Sequence, residues 1–589
     1  MRSPEDPDPR RSTNGPGPGD YDRRPWLVHY APDLGAHLTL GAANALQMFE
    51  ATVADRPNDN ALEYLGQTMT WREVDEAADA VAGLLVARGF APGDRLAMLL
   101  QNDPAFVICL VAAWRAGGSA ALISPMVTAD ELRQRLHDHM PTALVALDDL
   151  YLDVVSPLLA DGTCSVRVVI TTSPLDGPSG PVDEPRLFTE AARRSVADAV
   201  DLRTLISNGQ ARQGFAPRPI GPRDIAVVMA TSGTTGPPKG ACLTHANVVF
   251  SAHVYRRWCA LGAEPILGAS PLFHVTGLIG AAALSMLTGS PLVLTHRFRA
   301  DVVLDAIRRT RPRFMVAVIT AYIALANEPD LLPTDLDSLE LRLSGGAPID
   351  PAICSRLQDR LGGYIHNVYG LTETSSPSHM VPIGAQAPVD SETGVLSVGV
   401  PVFDTIVRVV GDDGVDLPPG QIGELVVSGP QVIVGYWRNP RADAEAFVGG
   451  ELRTGDIGFM DADGWFYVID RKSEIINASG FKVWPNEVER VLRTHPAVVD
   501  AAVVGIPDDY RGESVKAFVV VAEMEASEME ASEKDVAEED SAEMVAPTEQ
   551  ELIDYCRDHL AAFKYPREIE LVGELPRTAT GKLLRRKLR

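Results

Sequence analysis

Ten residues, Thr231-Ser-Gly-Thr-Thr-Gly-Pro-Pro-Lys-Gly240, concentrate three glycines, four hydroxyls and one lysine. Glycine lets a backbone come close to an anion, and successive N–H groups in such a turn form a concave nest. Hydroxyls add donors and Lys239 adds a point charge. Thr231, Ser232, Gly233, Thr234, Thr235, Gly236 and Lys239 are therefore candidate phosphate-holding residues. A Walker-type loop would need Gly-Lys followed by Ser or Thr at the start of a helix. Here Pro237 and Pro238 precede the lysine and Gly240 follows it, so no helix springs directly from the loop. The dinucleotide fingerprint fails on glycine spacing. Standing alone, the stretch is also compatible with a flexible surface turn.

Four further clusters follow in order. In Asn367-Val-Tyr-Gly-Leu-Thr-Glu-Thr374, Tyr369 beside Gly370 offers a stacking face for a base. Thr372 and Glu373 carry oxygens suited to a hard cation, Glu373 being the candidate metal ligand. In Arg453-Thr-Gly-Asp456 a carboxylate is placed to accept two ribose hydroxyls. The fourth runs from Asp470-Arg471 through Gly480 to Glu489, and the fifth is Pro576-Arg-Thr-Ala-Thr-Gly-Lys582. Each has a plain structural alternative: a solvated carboxylate at Glu373, a turn cap at Asp456, a surface ion pair at Arg471, a basic tail at Lys582.

The elements that must position these groups alternate between two periods. Residues 72–88 and 104–116 repeat apolar side chains at helical spacing, whereas 95–100, 144–147, 166–171 and 225–230 are short apolar runs that predict strands. From about residue 38 to 398 this alternation predicts a layered α/β architecture. After about 399, strands at 406–410, 423–428 and 465–469 separated by Asp-Gly and Pro-Gly turns predict a small β-rich subdomain. Beyond Asp470 a compact α+β unit is expected, with helices at 487–494 and 550–560 and strands at 500–504 and 514–521. Residues 275–295 carry no charge, but Gly277, Gly280, Gly289, Ser290 and Pro291 interrupt them. A buried helix followed by a buried strand is expected there, not a membrane span.

At 589 residues the chain exceeds one ordinary core. Its expected organisation is a disordered tail at 1–24, a large domain at 25–469 and a small mobile domain at 470–589, with an acidic, solvated insertion at 523–547. That insertion repeats Glu-Met-Glu-Ala-Ser twice. A net charge of −26 argues against nucleic acid or an anionic membrane as a broad partner. Six cysteines without Cys-x-x-Cys spacing suggest neither a zinc site nor a disulfide framework. With no apolar segment in the N-terminal tail, a cytoplasmic location is expected. Transient contact with a membrane surface and the oligomeric state, a dimer included, are left open.

Together, and in this order, the five clusters resemble the adenylate-forming superfamily of acyl-CoA synthetases, luciferases and peptide-synthetase adenylation domains. The resemblance runs from about Pro25 to Leu588, excluding the acidic insertion. It implies ATP, Mg2+ and CoA as cofactors and co-substrates, with a small-molecule carboxylic acid as the other partner. It further implies that the Thr231 loop holds the β- and γ-phosphates, that Gly345, Gly346, Ala347 and Pro348, with Tyr369, enclose the adenine, and that Asn367 and Gly370 are further cofactor-binding residues. Thr372 and Glu373 are then placed by the α-phosphate and magnesium, and Asp456 on the ribose with Arg471 nearby. Lys582 becomes the catalytic lysine of the adenylation step, Asp470 the hinge, and Gly480 the point of pantetheine entry. His274, in Pro-Leu-Phe-His-Val-Thr-Gly277, matches the wall of the carboxylate pocket.

Leu371 looks like the CoA ligase branch, where peptide-synthetase domains typically carry proline. The opening Arg24-Pro-Trp-Leu-Val-His-Tyr30 and residues 476–491 are similar to bacterial long-chain fatty acid–CoA ligases. The expected activity is thus activation of a medium- or long-chain fatty acid as acyl-AMP and its transfer to CoA. The alternatives are an aryl or dicarboxylic acid substrate, a fatty acyl-AMP ligase serving a carrier protein, and a non-catalytic nucleotide-binding relative, which would be expected to lose Lys582 or Glu373. Met229-Ala230 and Ser473-Glu474 depart from the family's usual residues, at positions not assigned to chemistry.

Overall fold

A computed structural model describes residues 20–160, 162, 164–188, 192–208, 217–231, 238–478, 481–508, 510–522, 547–578 and 583–589. Chain contacts divide the protein into two units. One runs up to Asp390 and adds Val395–Thr454 and Phe459–Tyr467; the other comprises Ser391–Gly394, Gly455–Gly458 and Val468–Arg589.

The first unit is a mixed α/β body built on two large sheets, as the alternating periods require. The seven-stranded sheet runs in the order Gly240–Thr244, Ile225–Ala230, Ser119–Leu122, Arg95–Leu99, Ala143–Leu147, Val168–Thr172, Val200–Asp201. Its strands pair parallel except Gly240–Thr244, which returns antiparallel beside Ile225–Ala230, with Ala230 opposite Gly240. Thr231 and Gly240 therefore stand at facing ends of two antiparallel strands, and a strand, not a helix, begins at Gly240. Helix Pro104–Arg115 is buried along its whole length, which explains why its sequence is nearly continuous in apolar residues. Asp103 caps it, accepting from the Phe106 N–H, and Pro104 occupies the first turn, where no N–H is needed.

The nine-stranded sheet carries the segments expected on the adenine side. Leu341–Gly345 and Ile365–Leu371 pair in parallel, with Ser344 opposite Asn367 and Gly345 opposite Val368. Ser376–Met380 then folds back antiparallel, with Tyr369 opposite His379. Residues 275–295 form a short helix Val275–Gly277, a wide turn Leu278–Ala283, helix Leu284–Thr288 and strand Leu292–Leu294. Gly289, at φ 69°, makes the turn between the last two. Among the described residues no helix is long and apolar enough to cross a membrane. Ile406–Val410 and Gly423–Ser428 pair antiparallel within a smaller five-stranded sheet.

The second unit has its own sheet and core. Val498–Asp508 and Gly512–Val521 form a long hairpin, flanked by Ile476–Ala478 with Phe481–Val483 and by Glu568–Leu571. Helices Pro485–Arg493 and Glu549–His559 contribute Val488, Leu492, Leu552 and Cys556 to the core beneath it. The acidic run at 523–546 lies outside the described residues.

Candidate active site

In the first unit the expected nucleotide residues sit at strand ends and in the turns that leave them. Thr231 follows Ile225–Ala230, and its N–H donates to the Lys239 carbonyl at 2.8 Å, closing the base of the loop. Ser232, Gly233, Thr234, Thr235 and Gly236 lie outside the described residues. Lys239 enters the return strand with its ammonium 5.2 Å from the centre of the Tyr436 ring and 4.0 Å from a Glu445 carboxylate oxygen.

Tyr436 joins this loop to the acidic turn. Its hydroxyl donates to Glu373 Oε1 at 2.8 Å, across 63 residues of sequence. The Ile433 N–H donates to the Glu373 carbonyl at 3.0 Å, while the Cys242 N–H bonds the Gly435 carbonyl and the Trp437 N–H the Gly240 carbonyl. Asn247 completes the splice, its side-chain amide donating to the Pro430 and Val432 carbonyls at 2.7 and 3.1 Å. Segment 430–437 is thus held between the phosphate-loop hairpin and the Glu373 turn. The motifs had missed Tyr436. Its signal is the aromatic pair Tyr436-Trp437 behind Gly435, which invites a search for a polar partner without saying where that partner lies.

The turn itself is held in an uncommon backbone. Thr372–Thr374 forms one 3-10 turn, the Leu371 N–H donates to Thr374 Oγ1 at 2.8 Å, and Ser375 and Ser376 follow at φ 47° and 88°. Two consecutive serines in the left-handed region are costly and persist where the surroundings dictate them. Here the Ser375 N–H is held by the Thr372 carbonyl, Thr374 Oγ1 donates to the Ser376 carbonyl, and the Ser376 hydroxyl meets the Tyr255 hydroxyl at 2.9 Å. Gly370 cannot be another residue, since a Cβ there would lie 1.6 Å from the Ser376 carbonyl oxygen.

The adenine-side residues form a bare ledge with an aromatic backing. A Cβ on Gly345 would lie 2.5 Å from the Val368 carbonyl oxygen, and Gly346 turns the chain at φ 86° towards Ala347 and Pro348. Buried Asn367 donates to the Ser397 carbonyl at 3.1 Å. The half-buried Tyr369 ring lies 5.3 Å from His379, itself 4.9 Å from Phe466. Burial pushes the His379 imidazole down to about 3, so it backs Tyr369 as a neutral ring. His274 precedes Val275–Gly277, its Nδ1 accepting from the Thr276 N–H at 3.4 Å. A Cβ on Gly277 would strike the Pro271 carbonyl oxygen at 2.2 Å, so the turn behind His274 requires glycine.

In the second unit, buried Asp456 pairs through Oδ1 with Arg471 Nε at 2.5 Å. Asp470 is 3% exposed; its Oδ1 accepts from the Arg471 N–H at 2.8 Å and its Oδ2 from the Asn486 N–H at 3.0 Å. Burial pushes its carboxyl up to about 7, with Arg585 opposing that shift. Gly480 and Lys582 lie outside the described residues.

The donor set suits a nucleotide with a hard cation. Glu373 Oε1 is taken by Tyr436, and Oε2 has no hydrogen-bond partner among the described residues. Among the described residues no three His, Cys, Asp or Glu side chains converge as a metal cage. Magnesium commonly binds through one or two carboxylates plus phosphate oxygens, and one open carboxylate oxygen matches that mode.

A family model for AMP-binding enzymes matches residues 49–437. The chain belongs to the AMP-binding enzyme family. The model of that family's C-terminal domain matches residues 487–582. A long-chain-fatty-acid–CoA ligase of Escherichia coli is 32% identical over 581 residues, covering 96% of this chain and 98% of the relative. A feruloyl-CoA synthase of an Amycolatopsis species is 33% identical, covering 90% and 96%. Among solved structures, the O-succinylbenzoate coenzyme A synthetase of Bacillus subtilis in complex with ATP and magnesium is 28% identical with a TM-score of 0.72, covering 92% of this chain and 98% of that one. These relations put the chain in the adenylate-forming superfamily, near the fatty acid–CoA ligases, with ATP, Mg2+ and CoA as the family's cofactors and co-substrates. They support acyl-CoA ligation as the class of activity.

Proposed function

We propose that this AMP-forming acyl-CoA ligase takes a medium- or long-chain fatty acid. The observation that carries the reading is the end-to-end likeness to long-chain-fatty-acid–CoA ligases, which covers 96% of the chain. The wall beyond His274 agrees with it: 275–295 carries no charged residue, and Leu278, Ile279, Ala281, Ala282 and Ala283 are buried. A second reading, an aryl acid, is favoured by the equally similar feruloyl-CoA synthase.

In this reading a carboxylate oxygen attacks the α-phosphorus of ATP, and the bond to the departing pyrophosphate breaks. Magnesium supplies charge neutralisation at the phosphates. Thr231, Lys239 and the N–H groups of their loop hold the departing phosphates, while Glu373, oriented by Tyr436, contributes its open oxygen to the cation. Tyr369 and the Gly345-Gly346 ledge hold the adenine, and Asp456, fixed by Arg471, accepts from the ribose hydroxyls. Lys582 offsets negative charge gathering between carboxylate and phosphate. In the second step the CoA sulfur attacks the acyl carbon, its proton passes to solvent, and the bond to AMP breaks. No side-chain nucleophile is needed.

A panel of fatty, aromatic and dicarboxylic acids with ATP, Mg2+ and CoA, read by AMP and pyrophosphate release, tests the substrate. Turnover confined to aromatic acids would overturn the fatty acid reading. Lys582→Ala should abolish ATP–pyrophosphate exchange while sparing CoA transfer from preformed acyl-AMP; unchanged exchange would refute the role given to the lysine.

A further inference from the structure

In the second unit one arginine is ringed by carboxylates. Arg585, in the turn Arg585–Lys587, donates from Nη2 to Glu489 Oε1 at 2.8 Å and Oε2 at 3.0 Å, and from Nε to Glu489 Oε1 at 3.1 Å. It also pairs with Glu474, and Nη2 donates to Asn486 Oδ1 at 2.9 Å. All three charged side chains are withdrawn from water: Arg585 and Glu474 are each 12% exposed and Glu489 2%. Burying charges in this way costs desolvation, and apolar residues of similar volume are often as stable. Such a cluster is therefore better explained by what it fixes in place than by the stability it adds.

Asn486 shows what is fixed. The same residue that accepts from Arg585 donates its backbone N–H to Asp470 and its side-chain amide to the Ile469 carbonyl at 2.8 Å. One residue thus links the C-terminal turn to the strand end at Asp470. Lys582 precedes Arg585 by three residues, a stretch that spans at most about 11 Å. The tail has a separate anchorage: Leu583 bridges Arg577, the Leu584 N–H bonds the Pro576 carbonyl, and Leu583 and Leu588 pack against Ala502, Val504, Phe518 and Leu575. Loss of Arg585 therefore leaves the tail docked while cutting its tie to Asp470.

We propose that Arg585 is a positioning residue for adenylation, fastening the segment that carries Lys582 to Asp470 through Asn486 so that lysine and hinge turn as one body. The inference rests on the reading of Lys582 and Asp470 given under the proposed function. It separates the two half-reactions. Adenylation uses Lys582 in that reading, so loss of the tie is expected to slow that step, whereas CoA transfer does not use the lysine.

The test compares wild type, Arg585→Ala, Arg585→Lys, Asn486→Ala and Lys582→Ala in ATP–pyrophosphate exchange and in CoA transfer from preformed acyl-AMP. Arg585→Ala is expected to lower kcat for exchange about 10- to 100-fold, the scale of a misplaced catalytic group, with KM for ATP and the transfer step within about threefold of wild type. Arg585→Lys should recover part of the loss, and Asn486→Ala should reproduce it with the Arg585–Glu489 pair intact. Equal falls in both half-reactions, or no fall in either, would overturn the proposal. If Lys582→Ala retains full exchange, the underlying reading fails instead. If Lys582→Ala loses exchange and neither Arg585→Ala nor Asn486→Ala does, only the positioning role fails.

Discussion

The Glu373 turn and the Asp470 cluster are both over-determined, by opposite means. The first is fixed mainly by shape and by hydrogen bonds of hydroxyls and backbone: Gly370 against the Ser376 carbonyl, two left-handed serines held through Thr372, Thr374 and Tyr255, and one tyrosine hydroxyl on the Glu373 carboxylate. The second is fixed by charge, with Arg585 among Glu474, Glu489 and Asn486, and Asn486 holding Asp470. A steric lock holds one geometry at any pH at which the fold survives. A buried charge cluster holds only while its members keep their protonation and their partners. A surface meant to stay preformed is well served by the first, and a joint meant to turn by the second.

The most severe way to break the contrast is Gly370→Ala. The added carbon would fall on the Ser376 carbonyl, and such overpacking costs about 3 kcal/mol or more. Thermal unfolding should fall and exchange activity drop about 100-fold, as for a misplaced reacting group; retention of both would show that the turn yields. Tyr436→Phe is gentler. It removes one hydrogen bond to a carboxylate, worth about 1.5–3 kcal/mol. We expect a loss of roughly tenfold or more in kcat/KM, about a factor of ten per 1.4 kcal/mol, with a raised magnesium requirement. An unchanged magnesium titration would remove Tyr436 from the site.

The pH response should sharpen the comparison, because the two regions bury groups of opposite sign. Asp470 rises from 3.8 to about 7 on folding. Between these values the native state keeps a proton that the unfolded chain has released, so this group's contribution falls as pH rises. In the first unit, burial lowers His379 and His296 from 6.5 to about 3, and His139 and His245 to about 4. There the unfolded chain binds the protons, and stability is lost as pH falls below about 6.5. Urea unfolding should show Asp470→Asn gaining on wild type from pH 5 to 8, and His379→Gln gaining as pH drops from 7.5 to 5. Flat differences would refute both assignments. The smallest effect is expected for deletion of residues 523–547, with turnover within about twofold, since a charge-dense run of this kind is expected to be solvated and insertions of that sort cost little; a large loss would show that the acidic run acts on the reaction.

Much of the frame was legible because local chemistry decided it. Ile225–Ala230 is a strand at its expected bounds, six apolar residues between two neighbouring strands with the central four buried. The helical spacing of apolar residues at 104–116 predicts the helix observed at Pro104–Arg115, which Asp103 caps. What escaped depends on distance or on context. Nothing near Tyr436 reveals a partner 63 residues away, and serine gives no sign that Ser375 and Ser376 will take positive φ. Nothing around Arg585 in sequence points to Glu474 and Glu489, its two carboxylate partners, which lie about a hundred residues upstream. The motifs identified which residues could meet a nucleotide, but not what holds them still.

The interlock of segment 430–437 with the Gly240 hairpin and the Glu373 turn also bears on the order in which the protein can be made. Translation delivers the return strand at Gly240–Thr244 long before Gly435 and Trp437, whose backbone groups bond it at Cys242 and Gly240. At about 5–20 residues per second, residue 437 follows residue 240 by roughly 10–40 s. During that interval the nascent chain displays an incomplete nucleotide face whose strand edge at Gly240–Thr244 lacks its later contacts. ATP cannot stabilise a clasp that has not yet been synthesised. A ribosome-stalled series ending before and after residue 437 should therefore gain ATP-dependent protease resistance only in the longer chains, with segment 430–437 as the point at which the nascent protein is expected to become a nucleotide binder.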